Sequence, residues 1–342
     1  MGDETGAKPP DKKDKGSKTN TSREEQMKAA LLKVALATGL MAGVATGATA
    51  QQKNVTIAVS IPAATHGWTG GVVYHAQETA KQLEKGYPGL KVIVKTSPDG
   101  AAQANALDDL MAQRVDALVV LPFNSDELTD PVREVKKRGT FVTVVDRGLK
   151  DPSIQDIYVA GNNAEFGRVA GKYFVDNLKE GNVVVLRGIP TVIDEERVSN
   201  FEKALEGSGV KVIDKQYANW NRDDAFKVMQ DFLSKHPKLD AVWASDDDMA
   251  LGVLEAIRQA KREDIKFVLG GAGMKDMIKK VMDSDKMIPA NVSYPPSMIS
   301  TAMGVTAAHF YTNAPMRGTY TLDAQLITKD NAQEHYFPDS PF

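Results

Sequence analysis

Cysteine is missing from all 342 residues, which removes disulfides, thiolate zinc sites and cysteine nucleophiles from consideration. Histidine is scarce as well: the five present are scattered, with no pair at helical i, i+4 spacing, so zinc has no ligand pattern to bind. Neither sign of charge dominates. The 42 basic and 45 acidic residues leave a net charge of −3, and nothing global selects nucleic acid or an acidic membrane surface as a partner. The phosphate-cradling Walker loop, the HExxH helix and the GxSxG nucleophile elbow are all absent, so hydrolase and nucleotidase readings lack their working parts. Beyond residue 50 no apolar run is long enough to span a bilayer.

What is present starts with an address. From Met27 to Ala50 the chain reads MKAALLKVALATGLMAGVATGATA, with Lys28 and Lys33, an apolar stretch from Val34 to Val44, and small residues Ala48 and Ala50 ahead of Gln51. That order of charged, apolar and small residues is the grammar of a secretory signal, and the apolar stretch falls short of the ~20 residues of a membrane anchor. Cleavage is expected after Ala50, which makes the mature chain a soluble protein of the periplasm. Residues 1–26, rich in Lys, Asp, Gly, Ser and Thr, cannot bury a core and read as a disordered lead or a start assigned too far upstream. The remainder, in a chain that is 42% hydrophobic and 25% charged, is long enough for two domains.

After Gln51 short apolar runs alternate with amphipathic segments, the βαβ pattern of a mostly parallel sheet covered by helices. Strands are expected at 55–59, 91–95, 117–121 and 141–145, with helices at 72–83, 101–113 and 127–137 between them. A second series follows, with strands at 157–159, 183–186, 211–213, 241–243, 266–269 and 290–292. Its helices are expected at 165–178, 195–205, 225–233, 249–260, 274–282 and 298–309. Two runs of one unit imply two similar α/β lobes rather than one long sheet.

In open α/β sheets ligands bind outside the carboxyl ends of the strands, so polar and aromatic residues there carry the functional signal. The first strand is followed by His66 and Trp68, the third by Phe123 and Asn124, and the fourth by Asp146 and Arg147. In the second series Arg197 follows a loop, and Asp246, Ala272 and Tyr294 stand at strand ends. An Asp-Arg pair is either a surface ion pair or a hydroxyl clamp, in which the guanidinium fork donates to adjacent oxygens and the carboxylate accepts from hydroxyl protons. Trp68 and Trp220 are either core aromatics or, in their Gly- and Asn-rich turns, platforms for the C–H face of a sugar ring. His66 is either a polar contact or a satisfied structural histidine. Asp246, Asp247 and Asp248 lack the alternating spacing and glycine of a calcium loop, so no metal is expected there. Glycines 270, 271 and 273 lack the third position of the dinucleotide pattern and read as a tight turn.

Four stretches together resemble the periplasmic sugar-binding proteins typified by ribose-binding protein: DDLMAQRVDALVVLPFNSDEL at 108–128, VVDRG at 144–148, NNAEFGRVAGKYF at 162–174 and HPKLDAVWASDDDMALGVLEAI at 236–257. The resemblance runs from about Val55 to Lys329. It implies a type I periplasmic binding protein, α/β with two Rossmann-like lobes and parallel central sheets, joined by a three-segment hinge that closes on one ligand. Carried over residue by residue, Asp146 and Arg147 match the sugar clamp, Arg197 the arginine of the second lobe, Trp220 the stacking aromatic, and Trp68 falls in the first-strand loop. Asp246 stands where ribose binders carry Asn, Ala272 where they carry Asp, and Tyr294 where they carry Gln, departures that put ribose itself in doubt. The lobes implied are 51–161 with 296–323, and 162–294 with 324–342.

The function implied is capture of a neutral sugar or polyol, without cofactor, metal or catalysis, by a monomer that delivers it to an ABC permease in the inner membrane. A sensor of the same fold reporting to a chemoreceptor is the alternative. A DNA-binding regulator is excluded by the secretory signal where a headpiece would stand, and no nucleic acid partner is expected. Mass spectrometry of the exported protein is expected to find a mature start near Gln51; an intact chain retained in the cytoplasm from Met1 would overturn this reading.

Overall fold

The computed structural model describes residues 53–64, 67–312 and 315–342. The expected export segment, its cleavage point at Ala50, the lead at 1–26 and His66 lie outside the described residues. The first half opens with strand β1 (Val55–Pro62), followed by helix α1 (Gly67–Gly86), β2 (Leu90–Ser97), α2 (Gly100–Ala112), β3 (Ala117–Val120), α3 (Ser125–Lys137), β4 (Phe141–Val145) and β5 (Ile157–Gly161). Strands β3 and β4 are buried along their whole length, as Val- and Leu-rich runs covered on both faces must be. By contrast β2 keeps Lys91 and Lys95 exposed, the usual protection of a sheet edge.

The same unit then repeats as α4 (Asn163–Leu178), β6 (Glu180–Arg187), α5 (Val192–Leu205), β7 (Gly209–Tyr217), α6 (Arg222–Lys235), β8 (Ala241–Ala244), α7 (Asp247–Ala260), β9 (Phe267–Leu269) and α8 (Lys275–Met282). The chain ends with β10 (Asn291–Val292), α9 (Met298–Tyr311), β11 (Gly318–Leu322) and β12 (Leu326–Ile327). Strands of the first half line up as β11-β5-β4-β3-β1-β2, those of the second as β7-β6-β8-β9, and every pairing in both sheets is parallel. Both therefore carry the same β2-β1-β3-β4 order and the same switch point, where consecutive helices leave on opposite faces. A short antiparallel pair, β10 with β12, is joined to the second sheet by a bridge between Ala272 and Ser293. The backbone crosses between the halves three times: after β5, after β10 and after β11.

Six helices, α2 to α7, begin one to three residues ahead of their apolar periodicity because the first turn of each is set by a polar cap. The side chains of Asp99, Asn124, Asn162, Thr191, Asn221 and Asp246 all accept a backbone N–H of the turn that follows. Strands β11 and β12 have no counterpart in the sequence reading, since GTYTL alternates polar and apolar residues and lies half exposed at the sheet edge. Core packing in the second half is aromatic, with Phe201 stacked on Trp243 at 4.1 Å and Phe174 edge-on to Phe201 at 5.1 Å.

One close approach sets the position of a functional side chain. Helices α4 and α5 touch through Gly167, where an added Cβ would lie 2.0 Å from the carbonyl oxygen of Arg197. The absence of a side chain at 167 thus lets α5 carry Arg197 inward, to 5% exposure. Gly167→Ala is expected to lower stability by about 1–3 kcal/mol through overpacking, whereas Arg168→Ala on the exposed face should stay within about 0.5 kcal/mol. Denaturant midpoints of the two variants check this, and equal midpoints would mean the helices part at no cost.

Candidate functional site

The carboxyl ends of both sheets face one cavity. From the second half it is lined by Arg197, in the second turn of α5, and by Trp220, Asp246 and Ala272 between elements, and from the first by Trp68, Asp146 and Arg147. Tyr294, on the crossing segment after β10, and Ile193 complete the lining.

Asp146 leaves β4 in the left-handed region, with φ of +58°. Neighbouring β5 holds it there: its N–H donates to Val159 O at 2.9 Å, and its carbonyl accepts from the Tyr158 hydroxyl at 2.6 Å. One carboxylate oxygen, Oδ1, accepts from the Tyr294 hydroxyl at 2.5 Å. Arg147 Nη1 donates to the carbonyl of Phe123, and its Nε lies 3.9 Å from Asp146 Oδ2. Among the described residues Nη2 of Arg147 has no partner, so a donor remains beside a carboxylate oxygen.

Arg197 sits in the angle between the rings of Phe166 and Tyr294, which stand perpendicular to one another, each 4.3 Å from the guanidinium carbon. Its Nε donates to Asn163 Oδ1 at 2.9 Å and its Nη1 to Ser245 O at 3.0 Å, while Asn163 Nδ2 lies 3.3 Å from the Tyr294 hydroxyl. Hydrogen bonds therefore run without a break from Ser245 through Arg197, Asn163 and Tyr294 to Asp146, joining the second sheet to the first. Burial, with Asp146 beside it, pushes the Tyr294 hydroxyl well above the usual phenol range, so it stays a neutral donor.

The three consecutive aspartates diverge. Asp246 caps α7, its Oδ1 accepting from Met249 N at 3.2 Å, and burial together with Asp248 and Asp247 drives its carboxyl well above the usual range. Asp247 turns to the loop before α8 and accepts from the backbones of Gly271, Gly273 and Met274 and from Asn291 Nδ2, all within 3.0 Å. Burial pushes it up to about 7, against the pull of those four donors. Asp248 accepts from Gly67 N at 2.8 Å and from Arg222 Nη2 at 2.9 Å. Among the described residues no three His, Asp or Glu side chains converge on a point that could hold a metal ion.

Trp68 donates its indole N–H to Tyr294 O at 2.9 Å, and its ring tilts against that of Tyr294 at 6.0 Å. Trp220 has φ of +51° and is 7% exposed; among the described residues its Nε1 is buried without a partner. With Asp146 and with Ala272, whose φ is +96°, it makes three strained backbone positions around one cavity.

Asn124, expected at the ligand, does not line the cavity. Its Oδ1 caps α3 by accepting from Glu127 N at 2.8 Å, and the neighbouring Phe123 carbonyl makes the contact to Arg147 instead. Ile193, Asn163 and Phe166 escape the sequence reading. Ile193 sits in a first helical turn placed too late by its periodicity, and Asn163 and Phe166 read as an ordinary cap and an ordinary core aromatic.

Residues 57–310 match the family model of the periplasmic binding protein domain, and the chain belongs to that family. It is 29% identical over 312 residues to the D-apiose import binding protein of Paraburkholderia graminis, covering 90% of this chain and 97% of that one. It is 32% identical over 214 residues to the ribose import binding protein of Bacillus subtilis, covering 62% of this chain and 68% of the relative. In fold it is similar to the Caulobacter myo-inositol binding protein bound to myo-inositol, with a TM-score of 0.73 at 24% identity over 84% of this chain and 98% of that one.

Tyr294→Phe is expected to destabilise the ligand-free protein by about 1–3 kcal/mol, because Asp146 and Asn163 lose a buried partner together. Chemical denaturation measures it, and an unchanged midpoint would show that the hydroxyl carries no part of the link between the sheets.

Proposed function

We propose that the protein is the periplasmic solute-binding component of an ABC importer, which captures one neutral monosaccharide or sugar alcohol between its two halves and delivers it to the membrane permease. The observation that carries this reading is the pairing of donors with acceptors in the cavity: the guanidinium groups of Arg147 and Arg197 face it together with the carboxyl groups of Asp146 and Asp246. Paired donors and acceptors suit the hydroxyl groups of a neutral sugar, which do both. Trp68 and Trp220 offer rings to the C–H faces between those hydroxyls.

Three backbone crossings form a hinge about which the halves open and close. Ligand binds both halves at once, so its contacts are complete only when they close. The import roles named for the relatives support transport over sensing. Because one chain supplies the whole cavity, the working unit is a monomer. Among the described residues no nucleophile with an adjacent base lines the cavity, and on this reading the ligand leaves as it arrived.

Calorimetric titration in excess chelator against pentoses, hexoses and sugar alcohols tests the reading. At least one neutral compound should bind with affinity unaffected by chelator, and at about 100 times its dissociation constant it should add about 2.7 kcal/mol of stability. Arg147→Ala should weaken that binding by about thirtyfold or more, a cost on the order of 2–5 kcal/mol. Arg147→Lys should also be impaired, because it keeps the charge and loses the planar fork. Binding only of anions, or near-wild-type affinity in both variants, would sink the assignment.

A further inference from the structure

Beyond β12 the chain makes a short 3-10 turn at Ala332–His335 that packs on α8, then runs on as residues 337–342. This segment is anchored at one end to the second half. Lys275, the first residue of α8, donates from Nζ to Ser340 O at 2.6 Å and reaches Pro338 O at 3.5 Å. Ser340 is 2% exposed, and its Oγ accepts from Phe342 N at 3.2 Å.

The other end reaches the first half. Phe342 is 3% exposed, against 51% for Phe337 five residues before it. It lies against α1 where side chains are missing: a Cβ added at Gly71 would be 2.9 Å from Phe342 Cβ, and one at Gly67 would be 3.0 Å from Phe342 Cδ2. Those glycines bracket Trp68, whose indole lines the ligand cavity, and Gly67 N is the group that donates to Asp248 of the second half. A second cavity beneath the segment is lined by Pro296, Ser293 and Phe342 and shares Ala272 with the ligand cavity. The segment is therefore fixed to the second half through Lys275 and seated on α1 of the first half through Phe342.

We propose that residues 337–342 are a strap that clasps the first turn of α1 to the second half, and that Phe342 is a positioning residue for Trp68. The bond from Gly67 to Asp248 and the bond from Trp68 to Tyr294 form only when that turn stands against the second half, and the strap adds a third, apolar contact at the same place. A ligand under Trp68 is thereby held by a side chain that does not touch it. This effect on ligand retention rests on the solute-binding reading above; the clasp on α1 does not.

Hydrogen exchange of the ligand-free full chain tests the clasp directly. In Phe342→Ala the amides of residues 67–72 should exchange about tenfold faster, while those of α4 and α5 stay unchanged, the mark of a local opening. Lys275→Met, which frees the far end and leaves the seat on α1 intact, should do the same. The double variant should add little, since both changes release one strap. Phe342→Leu should restore most of the protection. For retention, whichever of D-ribose, D-apiose or xylitol binds wild type most tightly should dissociate faster from Phe342→Ala with an unchanged ligand-free melting temperature. If none of the three binds wild type, the choice of ligand fails, and the exchange experiment still decides the strap. Exchange at 67–72 within about twofold of wild type in both single variants would overturn it.

Discussion

The hydrogen bond from the Tyr294 hydroxyl to Asp146 is the contact on which the site's geometry depends. Asp146 follows the first sheet, and Tyr294 lies on a crossing segment whose neighbour Ser293 is bridged to Ala272 of the second half, so this bond ties the two sheet ends together. It also fixes a carboxylate that would otherwise turn freely in a left-handed backbone position, and through Asn163 it orients the Arg197 guanidinium. In a buried setting such a chain of polar groups strengthens as a unit, and loss of one member exposes the rest to an unmet desolvation cost. Tyr294 occupies space that a shorter side chain would leave open, so the residue that joins the halves also limits the size of what fits between them.

Much of this was legible in the sequence because burial on both faces makes parallel strands read as uninterrupted apolar runs. The residue that breaks such a run then falls at the mouth of the sheet. Asp146 and Arg147 after Phe141–Val145, and Asp246 after Ala241–Ala244, are found that way. The same rule selects Asn124, and there it misleads: a polar residue between a strand and a helix has a second occupation, capping the helix, which it takes up with Glu127 N. Asp246 does both, since its carboxylate caps α7 and also lines the cavity. Ile193 is apolar and in a helix, so no pattern separates it from the core. The strap is invisible for another reason. Its anchors, Gly67 and Gly71 at one end and Lys275 at the other, are residues whose meaning lies in what they leave room for or reach across to.

Strain and order are concentrated in the same place. Asp146, Trp220 and Ala272 each adopt a left-handed backbone at the cavity wall, at a cost of about 1–3 kcal/mol apiece. Each is held by neighbours on both sides: Asp146 by β5, Ala272 by its bridge to Ser293, and Trp220 by the Ala218–Asn221 turn. Aromatic packing among Phe174, Phe201 and Trp243 gives α5 a stiff bed, so Arg197 arrives at the cavity already placed and needs little ordering when a ligand comes.

The position of β11 at the edge of the first sheet has a consequence for the order in which the molecule assembles. Its partner β5 ends at Gly161 and β11 begins at Gly318, so the last pairing of the first sheet waits for nearly the entire polypeptide. The second sheet draws all four of its strands from one uninterrupted stretch and has only short loops to close. Chain entropy thus favours the second half as the nucleus, with the first half completed on top of it by a long-range step that is intrinsically slow. Until that step is taken β5 presents an unpaired edge, the kind of surface on which another strand can pair.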